Sequence, residues 1–376
     1  MTFKIINKDG RTAARTGILE TKNGTIETPV FMPVGTIGTV KSLSPFEIYD
    51  EGFRIMLSNT YHLFLRPGTD VIQKFGSLRN FTGYKGSILT DSGGFQIFSL
   101  AKFAKIKDEG VEFMSHIDGE THFFTPERVI EIQQILDSDI MMQLDVFSGP
   151  GAKREKAEKD LDTTLRWAEK SIKAKNGNAS AIPKNMLFLI TQGNFFEDLR
   201  EKSAGIMSGM DADGYAVGGL AVGETKETML RMLEISASNL PENKPRYLMG
   251  VGTPSDIVNA VSLGIDMFDC VLPTRAGRHG QAWTSTGPLT LKAARFAEDE
   301  SPLDPTLDCP ASRDYSRAYL HHLVRSGEIL GQVLISWHNL AFYQSLMRDL
   351  RDAIREGRLE AFRRAFKAGL EDSSAA

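Results

Sequence analysis

The sequence predicts an α/β protein that folds as a closed (β/α)8 barrel of the TIM type. First, eight short apolar runs recur along the chain, and each ends in a polar or glycine-rich turn. Second, amphipathic segments with helical spacing separate several of these runs, and such alternation is typical of parallel α/β folds. Barrels of this type routinely use about 250 residues or more as one unit. We therefore expect residues 1–376 to form a single barrel domain.

The eight apolar runs are predicted to be the barrel strands. Most lack the alternation of apolar and polar residues that marks a half-exposed strand, as expected where both faces of a parallel sheet are buried. In chain order the runs are Pro29–Val34, Arg54–Leu57, Ser87–Thr90, Asp139–Leu144, Met186–Thr191, Tyr215–Gly218, Arg246–Met249 and Ile265–Asp269.

Threonine–proline pairs mark two of the helix starts. Thr125-Pro126-Glu127 supplies an N-cap, a first-turn proline and an acidic first turn, and Thr253-Pro254-Ser255-Asp256 repeats the pattern. These signals and the apolar spacing predict helices at Arg128–Leu136, Glu155–Lys175, Phe195–Met210, Ile257–Ser262, Ser316–Leu330 and Leu340–Leu370.

Two features lie outside this regular alternation. Residues 280–314 fit neither a strand nor a helix pattern, which predicts an inserted subdomain after the eighth strand. The end of the chain is rich in arginines that alternate with acids, which predicts an exposed face carrying ion pairs. Its arginines are Arg348, Arg351, Arg355, Arg358, Arg363 and Arg364.

Composition indicates a globular protein that works in the cytoplasm. Hydrophobic residues make up 41% and charged residues 24% of the chain, and the net charge is −4. The two cysteines, Cys270 and Cys309, provide no disulfide framework. Neither a long apolar stretch nor a signal peptide is recognisable, so no membrane partner is expected. A nucleic acid partner stays possible, because binding needs only a local basic patch.

Polar side chains and glycines follow the predicted strands. In such barrels the active site is built from the carboxyl ends of the strands. We therefore expect Asp91, Asp145, Asp269 and Gln192 to meet at one mouth, together with the turns Gly93-Gly94 and Gly218-Gly219. The alternative is that an individual aspartate caps the next helix.

Paired carboxylates at a barrel mouth suit chemistry at a glycosidic bond, where one group attacks the sugar and the other moves protons. The sequence contains no P-loop, no dinucleotide fingerprint and no nucleophile elbow. The turns Gly93-Gly94 and Gly218-Gly219 would allow a flat ligand to approach the backbone closely, which fits a glycosyl-transfer enzyme with a planar base as ligand. On spacing alone, a sugar hydrolase fits nearly as well as a glycosyl-transfer enzyme acting on a planar base.

Four longer motifs decide between these alternatives. These motifs are Asp91-Ser92-Gly93-Gly94-Phe95-Gln96, Gly218-Gly219-Leu220-Ala221-Val222-Gly223-Glu224, Tyr247-Leu248-Met249-Gly250-Val251-Gly252 and Phe268-Asp269-Cys270-Val271-Leu272-Pro273-Thr274-Arg275. They closely resemble motifs of the bacterial tRNA-guanine transglycosylases, also called queuine tRNA-ribosyltransferases. The resemblance runs in the same order from about Phe31 to beyond Asn339.

The resemblance implies a role for each carboxylate. Asp269 matches the nucleophile that attacks the sugar of the wobble guanosine in the anticodon, and Asp91 matches the proton acceptor. Asp145, Gln192 and the N–H of Gly219 would bind the edge of the base. The carbonyl of Leu220 would accept from an aminomethyl group, oriented by Glu224. The full base site is Asp91, Ser92, Gly93, Gly94, Phe95, Asp145, Gln192, Gly219, Leu220, Glu224 and Met249.

Phe95 stands where the family often has tyrosine, and with Met249 it would sandwich the base, unless both are only core residues. The resemblance also implies tRNA as partner, held at its anticodon loop. Arg275 and Arg278 would read the loop, unless they are an ordinary solvated pair. The RNA contact set is Gly250, Val251, Gly252, Thr253, Pro254, Ser255, Asp256, Thr274, Arg275, Ala276, Gly277 and Arg278.

The family usually carries a structural zinc ion held by three cysteines and a histidine. The matching positions here are Leu307, Cys309, Ser312 and His338, so two ligands are missing and we expect no metal. The chemistry itself is expected to need no cofactor. Tyr315, Tyr319 and His322 fall where the family forms its homodimer, which implies a dimer.

The expected incoming base is 7-aminomethyl-7-deazaguanine, because Val222 leaves less room than a glycine would for the larger base queuine. Direct exchange of queuine is the nearest alternative. Phe147, two residues after Asp145, stands where the family commonly has a small residue and could reshape the pocket. A non-catalytic tRNA-binding subunit is a third possibility, against which the retention of both Asp91 and Asp269 argues.

Overall fold

The computed structural model describes residues 2–101, 103–177 and 185–374. Within these ranges the strands, in chain order, are β1 (Phe3–Lys8), β2 (Arg15–Thr21), β3 (Gly24–Thr28), β4 (Val30–Pro33), β5 (Ile55–Asn59), β6 (Ser87–Asp91), β7 (Ala104–Ile106), β8 (Val111–Met114), β9 (Thr121–Phe124), β10 (Ile140–Met142), β11 (Met186–Thr191), β12 (Gly214–Val217), β13 (Arg246–Leu248), β14 (Met267–Cys270), β15 (Gln281–Thr284) and β16 (Gly287–Thr290).

The helices of the same ranges are α1 (Pro45–Asp50), α2 (Thr60–Leu65), α3 (Thr69–Phe75), α4 (Leu78–Thr82), α5 (Gly94–Leu100), α6 (Pro126–Leu136), α7 (Arg154–Gly177), α8 (Glu197–Ser208), α9 (Lys226–Ser238), α10 (Pro254–Ser262), α11 (Leu272–Arg278), α12 (Pro310–Arg313), α13 (Arg317–Ser326), α14 (Ile329–Arg355) and α15 (Leu359–Ser374).

The eight predicted strands form one parallel sheet that closes into a barrel. Its strand order is β4-β14-β13-β12-β11-β10-β6-β5. A parallel bridge between Val34 and Leu57 joins the two ends of this order. The predicted fold class is therefore confirmed, and each predicted strand lies within two residues of the observed one. Every residue of β5, β6 and β11 is buried, which explains why these runs show no alternation.

A three-stranded antiparallel sheet, β1-β2-β3, closes the amino-terminal end of the barrel. It adds Phe3, Leu19 and Ile26 to the hydrophobic core inside the barrel. Its β2–β3 turn is held by a hydrogen bond from the Asn23 amide to Asp139, just before β10. The mouth at the opposite end stays open. The sequence analysis did not predict this sheet.

The predicted helix starts are confirmed at α6 and α10. Thr125 accepts a hydrogen bond from the N–H of Arg128, and Thr253 accepts one from the N–H of Asp256. The prediction of one helix over Leu340–Leu370 is wrong. A single helix, α14, already begins at Ile329, and the chain turns at Gly357 (φ 66°) before α15. Glycine adopts this left-handed backbone without steric cost, which explains the break.

Residues 280–314 form the β15–β16 hairpin, a 3-10 turn at Ala294–Phe296 and α12. They share a core with α13 and the first half of α14, in which Leu291, Phe296 and Leu303 pack with Leu320 and Ile335. Across the described ranges, no helix combines the length and the apolar character needed to cross a lipid bilayer.

Candidate active site

Three carboxylates lie at the carboxyl-terminal edge of the barrel. Asp91 ends β6, Asp145 follows β10 and Asp269 lies in β14. The alternative that Asp91 or Asp269 caps the next helix is wrong, because the N-cap residues of α5 and α11 are Gly93 and Val271. These side chains must therefore be explained by what they contact in the mouth.

Asp91 is buried and its carboxylate is surrounded by donors. The N–H groups of Thr60 and Gly93 each donate to Oδ1 at 3.1 Å, and the side-chain amide of Asn59 donates to Oδ2. Burial, together with the smaller effect of the negative charge of Asp269, raises the pKa of Asp91 to about 7, although the three donors lower it. At neutral pH this carboxyl can both hold and accept a proton.

Asp269 has one carboxylate oxygen held and the other open. The Tyr247 hydroxyl donates to Oδ1 at 2.5 Å, and the N–H of Gly250 donates to the same atom at 2.7 Å. Among the described residues, Oδ2 has no hydrogen-bond partner. Burial raises the pKa of Asp269, while these two donors lower it. A fixed carboxylate with one free oxygen is the geometry that a nucleophile requires.

Asp145 is linked to two predicted site residues. Ser92 donates to its Oδ1 at 3.3 Å, and the Gln192 amide donates to its Oδ2 at 2.7 Å. Burial raises its pKa. A Cβ at Gly94 would lie 2.9 Å from the backbone oxygen of Asp145, so only glycine allows this approach. The Gln192 amide is therefore held against Asp145 by a hydrogen bond within the protein itself.

The turn after β12 lies beside Gln192 and is held by hydrogen bonds from a buried arginine. Arg200 donates to the carbonyl of Gly218 at 2.7 Å and to that of Gly219 at 3.3 Å. Burial lowers the pKa of Arg200 to about 10, which leaves it charged at neutral pH. Gly219 has a φ of +69°, and a Cβ there would lie 2.5 Å from the side-chain oxygen of Gln192.

Glu224 orients the next peptide of this turn. Its carboxylate accepts from the N–H of Ala221 at 2.5 Å and from that of Val222 at 2.9 Å. Because the Ala221 N–H points to Glu224 and a trans peptide places its two polar groups on opposite sides, the carbonyl of Leu220 points away from Glu224. This carbonyl is the acceptor that the resemblance implied.

Phe95 lies in the first turn of α5, and Met249 directly follows β13. Phe95 is 47% exposed, so the alternative that it is a core residue is wrong. Met249 is half-buried and packs on the core inside the barrel. Phe147 is buried with its ring 5.2 Å edge-on from Phe95 and 5.4 Å from Phe98. Phe147 therefore supports the Phe95 ring.

The two arginines predicted to meet RNA lie in α11 without acidic partners. Neither Arg275 nor Arg278 forms an ion pair with any described residue, and Nη1 of Arg278 is buried without a hydrogen bond. Burial lowers the pKa of Arg278, and so does the neighbouring charge of Arg275. Two uncompensated cations side by side favour an anionic ligand.

The segment Gly250–Asp256 runs from a contact with Asp269 into the first turn of α10. Gly250 contacts Asp269, as described above, and the Gly252 carbonyl accepts from the hydroxyl of Tyr343. Asp256 accepts from the Lys226 ammonium at 2.9 Å. The segment is thus held at both ends, next to the mouth.

The four positions that match the family's zinc ligands lie together in the structure. Ser312 is 2.8 Å from Nδ1 of His338, and Nε2 of His338 donates to the Trp283 carbonyl at 2.7 Å. Both imidazole nitrogens are thus occupied, and burial lowers the pKa of His338 to about 4. Leu307 and Cys309 are buried. Within the described ranges, no cluster of three or more metal-ligating side chains occurs.

Tyr315, Tyr319 and His322, the residues predicted at a dimer contact, lie within α13 or just before it. The rings of Tyr315 and Tyr319 stack 6.0 Å apart, and Tyr319 is 40% exposed. They line a shallow depression of about 410 Å³ with Arg313 and Asp314.

Sequence reasoning missed Asn59, Tyr247 and Arg200 as site residues. Asn59 carried a signal, since it lies just after the predicted strand Arg54–Leu57. A tyrosine within a buried strand and an arginine within a helix look like ordinary structural residues in a sequence.

Comparisons with known proteins agree with these motifs. A family model described as queuine tRNA-ribosyltransferase matches residues 9–372. The queuine tRNA-ribosyltransferase of Caulobacter vibrioides is 53% identical over 367 residues, which cover 97% of each chain. That of Brucella melitensis is 54% identical over 360 residues, covering 96% of this chain and 94% of the relative. That of Zymomonas mobilis is 50% identical over 367 residues, covering 98% and 95%.

Proposed function

Because the chain belongs to the queuine tRNA-ribosyltransferase family, we propose that it exchanges guanine at the wobble position of tRNAs with G-U-N anticodons. It is a tRNA-guanine pentosyltransferase, and the incoming base we propose is 7-aminomethyl-7-deazaguanine. The observation that carries the mechanism is the pair of mouth carboxylates. Asp269 has one oxygen held by Tyr247 and Gly250 and the other open. Asp91 has a pKa of about 7.

The first half of the reaction releases guanine. Oδ2 of Asp269 attacks the anomeric carbon of the target nucleotide, which has left its stack to enter the mouth. The bond between this carbon and N9 of guanine breaks, and its electron pair stays on the base. Protonated Asp91 supplies the proton that neutralises the leaving guanine. The ribose is then joined to Asp269 as an ester.

The second half reverses these steps with the new base. Ionised Asp91 takes the proton from the five-membered ring nitrogen of the incoming deazaguanine. This nitrogen attacks the anomeric carbon, and the carboxylate of Asp269 leaves with the ester electron pair. Two displacements retain the configuration of the sugar. Asp91 must change protonation state in each cycle, which a carboxyl with a pKa near 7 does readily.

The base pocket supports a guanine-like ligand. Asp145 would accept from the nitrogens of its edge, and the N–H of Gly219 and the second amide hydrogen of Gln192 would donate to its oxygen. The Leu220 carbonyl, which points away from Glu224, would accept from an aminomethyl group. A competition between 7-aminomethyl-7-deazaguanine and queuine for incorporation into one tRNA tests the base. Preference for queuine would overturn this choice.

Truncation of Asp145 is expected to damage base binding more than RNA binding. In Asp145→Ala the donor edge of the base loses its acceptor in a buried site, which costs on the order of 1–3 kcal/mol or more. KM for the base should rise about tenfold or more, with Kd for tRNA unchanged. Asp70→Ala, the same truncation at an exposed position of α3, is the control. An equal loss of tRNA affinity would refute the role of Asp145.

We further propose that Arg275 and Arg278 contact the anticodon loop, together with the segment Gly250–Asp256. Their lack of acidic partners supports this, because phosphates would supply the missing negative charge. We also propose that the chain acts as a homodimer through the surface of Tyr315, Tyr319 and His322.

The residues present do not fit zinc, so we propose that the protein holds none. Zinc needs four ligands of nitrogen, sulfur or carboxylate type. Leu307 has no ligand atom, the Ser312 hydroxyl stays protonated, and both nitrogens of His338 are engaged within the protein.

Metal analysis of the untagged protein is expected to find far less than one zinc ion per chain, and a chelator should leave the melting temperature unchanged. Replacing Leu307 and Ser312 together by cysteine restores the family's ligand set and should add one zinc ion per chain. One tightly held ion in the unaltered protein, with a lower melting temperature after chelation, would contradict the proposal.

A further inference from the structure

A cleft of about 300 Å³ lies beside the mouth, between α15 and the starts of α9 and α10. The wall from α15 consists of side chains spaced three or four residues apart, which places them on one helix face. The opposite wall includes Lys226, the first residue of α9, and Ser255 in the first turn of α10. The charged α15 side chains are Glu360, Arg363, Arg364 and Lys367, and Phe366 of the same helix also lines the cleft.

The position of the cleft follows from the barrel topology. α9 and α10 follow β12 and β13, so both helices begin at the carboxyl-terminal edge of the sheet, where the carboxylates lie. The segment Gly250–Asp256 leads directly from the contact with Asp269 to the cleft wall. A ligand that enters the mouth therefore reaches the cleft without crossing to another face of the molecule.

The cleft carries more positive than negative charge. Four basic residues and two acidic ones line it. Lys226 pairs with Asp256 at 2.9 Å, and Arg363 pairs with Glu360 and donates to Asn259 at 3.1 Å. Arg364 is exposed and contacts only the backbone carbonyl of Glu360, at 3.4 Å, with no acidic partner among the described residues.

Four of the six arginines at the end of the chain form ion pairs, as the sequence predicted, whereas Arg364 does not. Arg355 and Arg358 do pair, with Asp352 and Glu356. Arg351 pairs with Glu27 at 3.6 Å, and its side chain is mostly buried, with 11% exposed. Of these arginines, Arg363 and Arg364 of α15 line the cleft. Its excess charge is therefore placed where a polyanion would arrive.

We propose that this cleft binds the phosphodiester backbone of the same tRNA, outside the anticodon loop that enters the mouth. The inference rests on the proposed function. Arg364 supplies the principal charge to a phosphate, Lys226 and Arg363 add to the field, and Val258 and Phe366 provide an apolar floor against the sugar. The contact is independent of base sequence and adds affinity without touching the chemistry.

The test is charge reversal at Arg364, measured as tRNA affinity over a range of salt concentrations. In Arg364→Glu, Kd for tRNA is expected to rise about tenfold at 0.1 M salt, and the slope of log affinity against log salt should become shallower by about one. The rate of exchange at saturating tRNA and KM for the base should not change. The matched control is Lys4→Glu, the same change of charge on exposed β1 at the closed end of the barrel.

A short hairpin that keeps the anticodon loop but only the first base pairs of the stem should bind Arg364→Glu and the unaltered protein equally. Equal affinity and equal salt slope for full-length tRNA would overturn the proposal, as would the same loss with the short hairpin. A phenotype shared by Lys4→Glu would show a general charge effect and would also overturn it. Failure of the unaltered protein to exchange guanine would instead refute the proposed function, and the binding curves separate the two results.

Discussion

Asp269→Asn is expected to fold, to bind tRNA and to form no covalent complex with it. An amide is far too weak a nucleophile to attack the anomeric carbon, so base exchange should fall below detection. The Tyr247 hydroxyl and the Gly250 N–H that now donate to Oδ1 can donate to the amide oxygen instead, so the surrounding structure should persist. Denaturing gels of enzyme, tRNA and a competing base measure the covalent band directly.

The control for this variant is Asp211→Asn, the same isosteric change at an exposed position. It should form the covalent band as the unaltered protein does. A persistent band in Asp269→Asn would place the nucleophile elsewhere, with Asp91 as the first alternative. Loss of tRNA binding along with the band would leave the covalent role of Asp269 without support.

Asp91→Asn is expected to lower the rate of base exchange by about 10²- to 10⁴-fold, the usual contribution of a positioned proton acceptor. In the proposed mechanism the exchange step needs ionised Asp91 to accept the proton of the incoming base. Because the pKa of Asp91 lies at about 7, kcat/KM for the base should rise with pH up to about 7 and then level off. In Asp91→Asn, kcat/KM for the base should no longer rise with pH over this range.

The same pKa has a consequence for stability. The folded protein retains the Asp91 proton at pH values where the unfolded chain, with a pKa near 3.8, has lost it. The folded state therefore binds more protons, and the contribution of this group to the free energy of unfolding decreases as pH rises from about 4 to about 7. Asp91→Asn should remove that decrease. A variant with full activity and an unchanged pH profile would refute the assigned role.

The barrel could be predicted from the sequence because nearly all residues of its strands are buried and each strand ends in a polar or glycine turn. The mouth carboxylates Asp91, Asp145 and Asp269 followed from the same pattern, since the topology brings all strand ends together. The roles of individual residues came from the resemblance instead. Nothing in the spacing alone separates a nucleophile from a proton acceptor.

Other parts of the structure depend on contacts that a sequence does not display. Tyr247 and Arg200 act through hydrogen bonds to neighbouring segments, which the fold alone creates. The sheet β1-β2-β3 packs its apolar face on the end of the barrel. The break in the final helix depends on the left-handed backbone of Gly357, which is only one of several conformations open to a glycine.

Exchange of labelled guanine out of a G-U-N tRNA tests the central claim most directly. The tRNA carries radiolabelled guanine at the wobble position, and the enzyme is given unlabelled 7-aminomethyl-7-deazaguanine. The proposed mechanism predicts that label appears as free guanine, with one molecule of the new base entering each tRNA and the RNA chain remaining intact. Retention of the label in tRNA with a G-U-N anticodon, under conditions where the protein is folded and binds that tRNA, would contradict it.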